Sequence, residues 1–270
     1  MVVFPNAKIN LGLWIKNKRP DGFHEIETCF YPVPLHEILE IMEVEPGNEV
    51  FRTTGLNIPA KVEDNLVKKA YELLKKDYYF PPLHIHLHKT IPMGSGLGGG
   101  SSDAAFAIKL LNEHFKLGMD EQQMRAYARQ IGSDCAFFIL NKPAIATGRG
   151  ELLKPIALSL SGFYIAIVIP PTAISTTWAY SSIAPRPRKN SLEEIINLPV
   201  KEWKNRLEND FENAVFKKNP EVEVLKNILY DQGADYASLT GSGSGIFGLF
   251  SNDPGILEAK SQYFLWQRKL

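Results

Sequence analysis

Ile91-Pro-Met-Gly-Ser-Gly-Leu-Gly-Gly-Gly-Ser-Ser-Asp-Ala-Ala105 sets five glycines and three serines directly before an amphipathic run. Glycine loses the most backbone freedom on folding, so a folded chain gathers it where the backbone must bend sharply or approach something closely. A helix N-terminus presents unpaired N–H groups and the positive end of the helix dipole, and the partner that suits it is an anion. The stretch therefore reads as a phosphate cradle. Its helix is expected from Ser102 to about Leu117, with Ala105, Ile108, Leu111 and Phe115 on one side and Gly118 as the stop.

Three familiar phosphate loops fail on this stretch. A P-loop needs Gly-Lys-Ser/Thr, and here Gly100 is followed by Ser101 with no lysine. Gly94-Ser-Gly-Leu-Gly-Gly99 meets the dinucleotide pattern literally. That pattern wants a buried parallel strand running straight into the glycines. The strand before it is the alternating Leu83-His-Ile-His-Leu-His88, and Pro92 interrupts the approach. The protein-kinase set fails because no His-Arg-Asp or Asp-Phe-Gly occurs. A flexible linker is disfavoured by Pro92-Met93 in front and by the helix that follows without a polar spacer.

The bulk numbers set the frame. A chain of 270 residues makes one large domain or two ordinary ones. Thirty basic and thirty acidic side chains give no charge bias towards nucleic acid or a membrane surface. No apolar run reaches the roughly 20 residues that span a bilayer. Met1–Lys8 lacks a basic segment followed by an apolar one, so a cytoplasmic protein is expected. Cys29 and Cys135 lie far apart without metal-ligand spacing and read as reduced core thiols.

Outward from the loop, residues 1–15 alternate as a strand, which sets Lys8 and Asn10 on the face opposite Ile9 and Leu11. Taken alone, Lys8 reads as an exposed strand lysine. Lys18-Arg-Pro-Asp-Gly22 is a turn, and Phe23-His24 follows it. Residues 26–62 look β-rich, and Asp64 is a candidate N-cap for a helix to about Lys76. The three histidines of Leu83–His88 fit a half-buried strand rather than a metal site, since no carboxylate or cysteine accompanies them.

Asp120-Glu-Gln-Gln123 resembles a capping box for a helix ending at Gly132. Asp134 then stands at the lip of the apolar run Cys135–Leu140, where by itself a cap is favoured over a working carboxylate. Tyr164–Ile169 reads as a buried strand, and Ser175–Tyr180 as a loop entering a helix. Residues 184–190 read as a mobile surface loop. Helices are expected over Ser191–Leu198, Lys201–Lys218 and Glu221–Gln232, and again from Asp253-Pro254. Tyr236–Phe250 reads as strand, glycine turn, strand. Strands and helices mix without strict alternation, which favours α+β.

Pro92-x-Gly-x-Gly-Leu-Gly-Gly-Gly-Ser-Ser-Asp-Ala-Ala105 resembles the phosphate loop of the GHMP kinase superfamily. Its longer Gly-Gly-Gly-Ser-Ser-Asp-Ala-Ala form is similar to the branch that acts on a cytidine diphosphate-linked methylerythritol. Ala7–Leu13, Arg19–His24, Asp64–Leu66, Gly132–Asp134, Gly148–Gly150, Leu207–Glu212 and Leu239–Gly245 fit that family's motifs in the same order. The resemblance implies an α+β, two-domain fold: a ribosomal-protein-S5-like domain over 1–153 and a ferredoxin-like α/β sandwich over 154–270. It implies transfer of phosphate from ATP, accompanied by Mg²⁺ without a dedicated protein metal site, to a tertiary 2-hydroxyl in the non-mevalonate isoprenoid route. The implied partners are those two small molecules, with no nucleic acid and no membrane, and a monomer or weak homodimer.

Residue roles follow from the same resemblance. Pro92, Met93, Gly94, Ser95, Gly96, Leu97, Gly98, Gly99, Gly100, Ser101 and Ser102 wrap the ATP phosphates, the two serines adding hydroxyl donors or a contact to Mg²⁺. Asn65 lies near the adenine. Asp134 is the general base and Lys8 the lysine that pairs with it. His24 hydrogen-bonds the cytosine. Phe23 stands where the family usually has Tyr, which keeps a stacking face and loses the hydroxyl. Tyr180 takes the other side of the base, Asn10 and Thr176 make polar contacts to the substrate, and Gly241–Gly245 closes the phosphate side. A mevalonate-like or homoserine-like acceptor is the nearest alternative, but neither has a base for the Gly22-Phe-His24 turn to hold. A non-catalytic RNA-binding module is disfavoured by neutral charge without a basic stripe.

Overall fold

Val2–Val3 (β1) and Asn6–Lys18 (β2) open the chain, and every residue of β2 from Asn6 to Ile15 is buried. The Arg19–Phe23 turn follows: Arg19 N–H donates to the Phe23 carbonyl, and Gly22 takes a positive φ of 85°. His24–His36 (β3), Ile38–Glu43 (β4) and Val50–Gly55 (β5) supply the expected β-rich stretch. This computed structural model describes residues 1–57, 62–186, 188, 190–258 and 260–270. The end of that β-rich stretch, residues 58–61, and positions 187 and 189 of the surface loop lie outside the described residues.

Leu66–Leu74 (α1) is capped by Asn65, whose side-chain oxygen accepts the Val67 N–H at 2.9 Å. The expected cap at Asp64 is thus corrected by one residue: Asp64 lies in a 3-10 turn, and the Asn65 oxygen reaches a free helix N–H. Leu83–Lys89 (β6) alternates strictly between buried and half-buried positions. Two of its histidines turn to a neighbour on the sheet, the Thr54 hydroxyl lying 2.8 Å from His86 Nε2 and 2.9 Å from His88 Nδ1.

Gly99–His114 (α2) starts three residues before the expected Ser102 and ends three before Leu117, because the glycines themselves enter the helix. Glu121–Ile131 (α3) has the full capping box, Asp120 to Gln123 and back. Cys135–Leu140 (α4) follows, then Ala144–Thr147 (β7), Leu152–Pro155 (β8), Tyr164–Ile169 (β9), Thr176–Ser181 (α5) and Leu192–Ile196 (α6).

The helix expected over Lys201–Lys218 is only Glu212–Lys218 (α7). Before it, Leu13 and Asp210 exchange backbone contacts with strand geometry: Leu13 N–H donates to the Glu208 carbonyl, and Asp210 N–H to that of Leu13. The Asn209 side chain donates to the carbonyls of Leu239 and Gly241, and Asp210 accepts the Ile15 N–H. These tertiary bonds outweigh local helical periodicity. Pro220–Asp231 (α8), Tyr236–Leu239 (β10) and Ile246–Phe250 (β11) match expectation. The helix expected from Asp253-Pro254 is absent among the described residues. Phe264–Lys269 forms a strand instead (β12), paired along its whole length with β9.

The chain divides into two compact units. The first contains residues 1–7, 34–93 and 98–142. Its sheet runs β1-β4-β6-β5, with β5 parallel to β6 and the other pairs antiparallel. Helix α2 is its buried axis and packs on α1, α3 and α4. The second contains 8–33, 94–97 and 143–270. Its sheet β10-β11-β9-β12 is antiparallel throughout, and α8 covers β10 and β11. Its core joins Leu13, Ile15 and Ile26 to Val168, Phe211, Leu229, Leu239 and Phe250. The third sheet is ordered β2-β3-β7-β8.

Candidate active site

In the second unit, strand β2 carries Lys8 and Asn10 inward, and Lys8 is only 3% exposed. The expectation of a surface lysine therefore does not hold. Its ammonium donates to the Asn10 side-chain oxygen at 2.6 Å and lies 5.0 Å from the centre of the Phe30 ring. The Asn10 amide donates to the Thr28 hydroxyl at 2.9 Å, and the same Asn10 oxygen accepts the Gly241 N–H at 2.9 Å. A strand side chain is thus held from both sides by groups 18 and 231 residues away.

Gly94–Leu97 belongs to this unit and is held at three points. Lys8 N–H donates to the Leu97 carbonyl at 2.9 Å, the Thr240 hydroxyl to that of Gly96 at 3.1 Å, and Gly245 N–H to that of Ser95 at 3.1 Å. Here the glycines have a demonstrable cause. Gly96 takes a φ of 79°, and a Cβ on it would run into the Thr240 carbonyl oxygen. The Gly-Ser-Gly turn after β10 is therefore the wall against which the glycine loop is moulded.

The same unit holds the residues assigned to the base. His24 stacks on Tyr180, ring centres 5.1 Å apart at 25°, and Tyr180 meets the Phe211 ring edge-on at 4.9 Å. Burial, and then Lys18, push the His24 imidazole below its ordinary range, so at neutral pH it is uncharged, with one donor and one acceptor nitrogen. Phe23 is exposed, and the Arg149 guanidinium sits 4.7 Å from its ring centre. Glu25 fixes that neighbourhood by accepting the Gly148 N–H at 2.9 Å and an Arg19 N–H at 3.0 Å. Thr176, in the first turn of α5, has its hydroxyl 3.2 Å from that of Ser242.

In the first unit, Gly98 opens α2 at a φ of 73°, and Ser101 and Ser102 lie in its first turn. Pro92 and Met93 precede the loop, with Met93 exposed. The Ser102 hydroxyl is buried without a hydrogen-bond partner among the described residues. Gly100 approaches α1 at Leu66, beside the Asn65 cap. Asp134 occupies the N-cap position of α4, yet its carboxylate makes no cap hydrogen bond. Its neighbour Cys135 ties this corner to α2. Burial pushes the Cys135 thiol up to about 12, Ser101 hydrogen-bonded to it works the other way, and the Asp134 charge adds to the rise.

Sequence reasoning missed Arg149, Thr28 and Thr240. The Gly148-Arg-Gly150 turn signalled the first without assigning it a role. Thr28 carries no local signal, and Thr240 stood inside the Leu239–Gly245 motif without a role of its own. Among the described residues no group of three or more His, Cys, Asp or Glu is gathered to hold a metal ion, and no helix is long and apolar enough to cross a membrane.

Two family models match the chain: the GHMP kinases N terminal domain over residues 65–142 and the GHMP kinases C terminal domain over 188–263. A 4-diphosphocytidyl-2-C-methyl-D-erythritol kinase of Parabacteroides distasonis is 50% identical over 272 aligned residues, covering 100% of both chains. One from Bacteroides thetaiotaomicron is 52% identical, covering 93% of this chain and 92% of its own. Among solved structures, a 4-(cytidine 5'-diphospho)-2C-methyl-D-erythritol kinase superposes with a TM-score of 0.76 at 32% identity, covering 92% of this chain and 90% of that one.

Proposed function

The chain belongs to the GHMP kinase family, among its 4-diphosphocytidyl-2-C-methyl-D-erythritol kinases, and from that membership we propose how its residues carry out the reaction. ATP phosphorylates the tertiary 2-hydroxyl of 4-diphosphocytidyl-2-C-methyl-D-erythritol, giving the 2-phosphate and ADP. The observation that carries this reading is the half-identical match to a kinase of that name along the whole of both chains. The family matches fall on either side of residue 153, which supports a catalytic domain over 1–153 and a second domain over 154–270.

Phosphoryl transfer asks the protein for position and charge rather than for a covalent intermediate. The 2-hydroxyl oxygen forms a bond to the γ-phosphorus as the bond from that phosphorus to the β-phosphate oxygen breaks. The hydroxyl proton passes to the Asp134 carboxylate at the start of α4. Lys8, aimed by Asn10, meets the charge on the phosphoryl group. Pro92–Ser102 receives the ATP phosphates on backbone N–H groups at the start of α2. Asn65 lies towards the adenine.

Magnesium fits as a companion of ATP. The Ser102 hydroxyl, buried without a hydrogen-bond partner among the described residues, would suit an oxygen-seeking ion or a phosphate oxygen, and such an ion would supply charge neutralisation to the polyphosphate. His24 reads the cytosine with its neutral imidazole, Phe23 and Tyr180 supply ring faces, and Asn10 and Thr176 supply polar contacts.

The test is turnover of the purified chain with ATP against three acceptors: the cytidylated methylerythritol, mevalonate and homoserine. ADP release and a new phosphate-monoester phosphorus resonance are expected with the first alone. Equal or faster turnover of either of the others overturns the substrate assignment.

A further inference from the structure

Beside the phosphate loop, the first unit buries a charge cluster that the reaction above does not use. Lys89, the last residue of β6, is 3% exposed. Its ammonium lies 2.5 Å from Glu37 Oε2 and 2.8 Å from Asp103 Oδ2. Glu37 is the single residue between β3 and β4, and Asp103 is in α2. The other Glu37 oxygen accepts the Ile91 N–H at 3.2 Å. Helix α2 begins so near that a Cβ on Gly99 would come 3.1 Å from that same oxygen and 3.1 Å from Ile91 Cγ2.

The consequence is topological. Ile91 stands just before the glycine loop, and Gly99 and Asp103 lie in the helix just after it. One carboxylate touches the first, abuts the second, and shares Lys89 with the third. Three ionisable groups taken out of water add little net stability compared with an apolar cluster of the same volume. Their directional bonds do fix register, which apolar packing does less sharply. Burial, and then the charge of Asp103, push the Glu37 carboxyl up to about 9. Protonation of Glu37 at neutral pH lightens the negative charge that the cluster sets near the start of α2.

We propose that Glu37, Lys89 and Asp103 form a positioning clamp that holds the two ends of the phosphate loop at the spacing ATP requires, and so govern ATP affinity without touching ATP. The proposal rests on the reading of Pro92–Ser102 as the ATP loop.

Glu37→Ala and Glu37→Gln separate the clamp from mere bulk. Glu37→Ala leaves the Lys89–Asp103 pair balanced but removes the acceptor of Ile91 N–H. It is expected to raise KM for ATP about tenfold, with kcat and KM for the acceptor alcohol near wild type. Glu37→Gln retains the length and the acceptor oxygen and is expected to restore KM for ATP to within about twofold of wild type. If Glu37→Ala does not fold, Glu37→Asp, shorter in reach by one methylene, takes its place with the same expected rise. Equal KM values for ATP in the Ala (or Asp) and Gln variants overturn the clamp, as does a parallel rise in both substrates' KM. The wild-type control keeps the two readings apart. A wild-type chain that does not bind ATP removes the loop assignment, whereas an unaltered variant beside an ordinary wild type removes only the clamp.

Discussion

Lys8 and Asn10 are two residues apart on β2, and the lysine ammonium donates to the asparagine oxygen at 2.6 Å. That oxygen is shared with the Gly241 N–H. The cation assigned to the phosphoryl group is therefore aimed by a side chain that also pins the glycine turn after β10. Removing the asparagine should cost both at once. Asn10→Ala is expected to lower kcat about 100-fold and to destabilise the fold by about 1–3 kcal/mol, since buried donors lose their acceptor. Steady-state kinetics beside urea unfolding measure the two, and an unchanged kcat would remove Asn10 as the aiming group.

Asp134→Asn keeps the shape of the side chain and removes the proposed base. Turnover should drop by about 10²–10⁴-fold while ATP and the cytidylated substrate bind within about twofold of wild type. Calorimetric binding to the inactive variant checks the second half. Wild-type turnover would leave the proton without its assigned acceptor.

Tyr180 touches His24 on one side and Phe211 on the other. Tyr180→Ala is expected to raise KM for the cytidylated substrate about tenfold, the order of a lost aromatic contact, and to spare KM for ATP. The imidazole adds a pH signature. His24 titrates below the ordinary histidine range, so affinity for the cytidine end should stay flat through that range and fall only at lower pH, where the ring charges. A loss of affinity already within the ordinary range would contradict a neutral His24.

Gly94 and Gly96 both take positive φ, yet a Cβ on Gly94 meets nothing and one on Gly96 meets the Thr240 carbonyl. Gly94→Ala should cost about 1 kcal/mol and Gly96→Ala distinctly more, with a rise in KM for ATP in the second. Thermal unfolding ranks them, and the reverse order would show that Thr240 does not mould the loop.

Glu37 yields a stability prediction with a definite sign. Its carboxyl titrates at about 9 when folded, far above the ordinary carboxylate range. Its protonated form therefore favours the folded state fully at low pH, and that contribution drains away as pH rises towards about 9. The wild-type advantage over Glu37→Gln should shrink by up to about 1.4 kcal/mol per pH unit across that window. Urea unfolding at pH 5, 7 and 9 measures it, and a constant difference would mean that Glu37 stays ionised.

The glycine loop was legible because its composition is itself the signal: no other use of Gly94–Gly100 fits a chain that folds. The Arg19–Phe23 turn and the α3 capping box were legible for the same local reason. Apart from the one-residue shift of the α1 cap and the displaced ends of α2, the failures are non-local. Asp253-Pro254 looks like a helix start, but Phe264–Lys269 finds the open edge of β9, and sheet pairing decides. Lys201–Lys218 has helical periodicity, but Asn209 and Asp210 spend their side chains on β10 and β2. Asn10 could be singled out by resemblance, whereas its partner Thr28 could not, and Thr240 entered only as part of the Leu239–Gly245 motif. The Glu37–Lys89–Asp103 cluster draws on three segments, and although Asp103 lies in the glycine-rich stretch itself, nothing local pairs it with Glu37 and Lys89.

Cys29 and Cys135 are the only cysteines in the chain, and both are fully buried. One falls in each unit. Burial raises both thiols far above the range in which they ionise in water, so neither reacts while its surroundings stay closed. The molecule thus comes with a built-in pair of clocks. Alkylation of Cys135 times the breathing of the corner that holds Asp134 and Ser101, and alkylation of Cys29 times that of the strand beside Asn10 and Thr28. Slowing of either by a nucleotide or a cytidine compound would report where that ligand tightens the fold, without a label added or a residue changed.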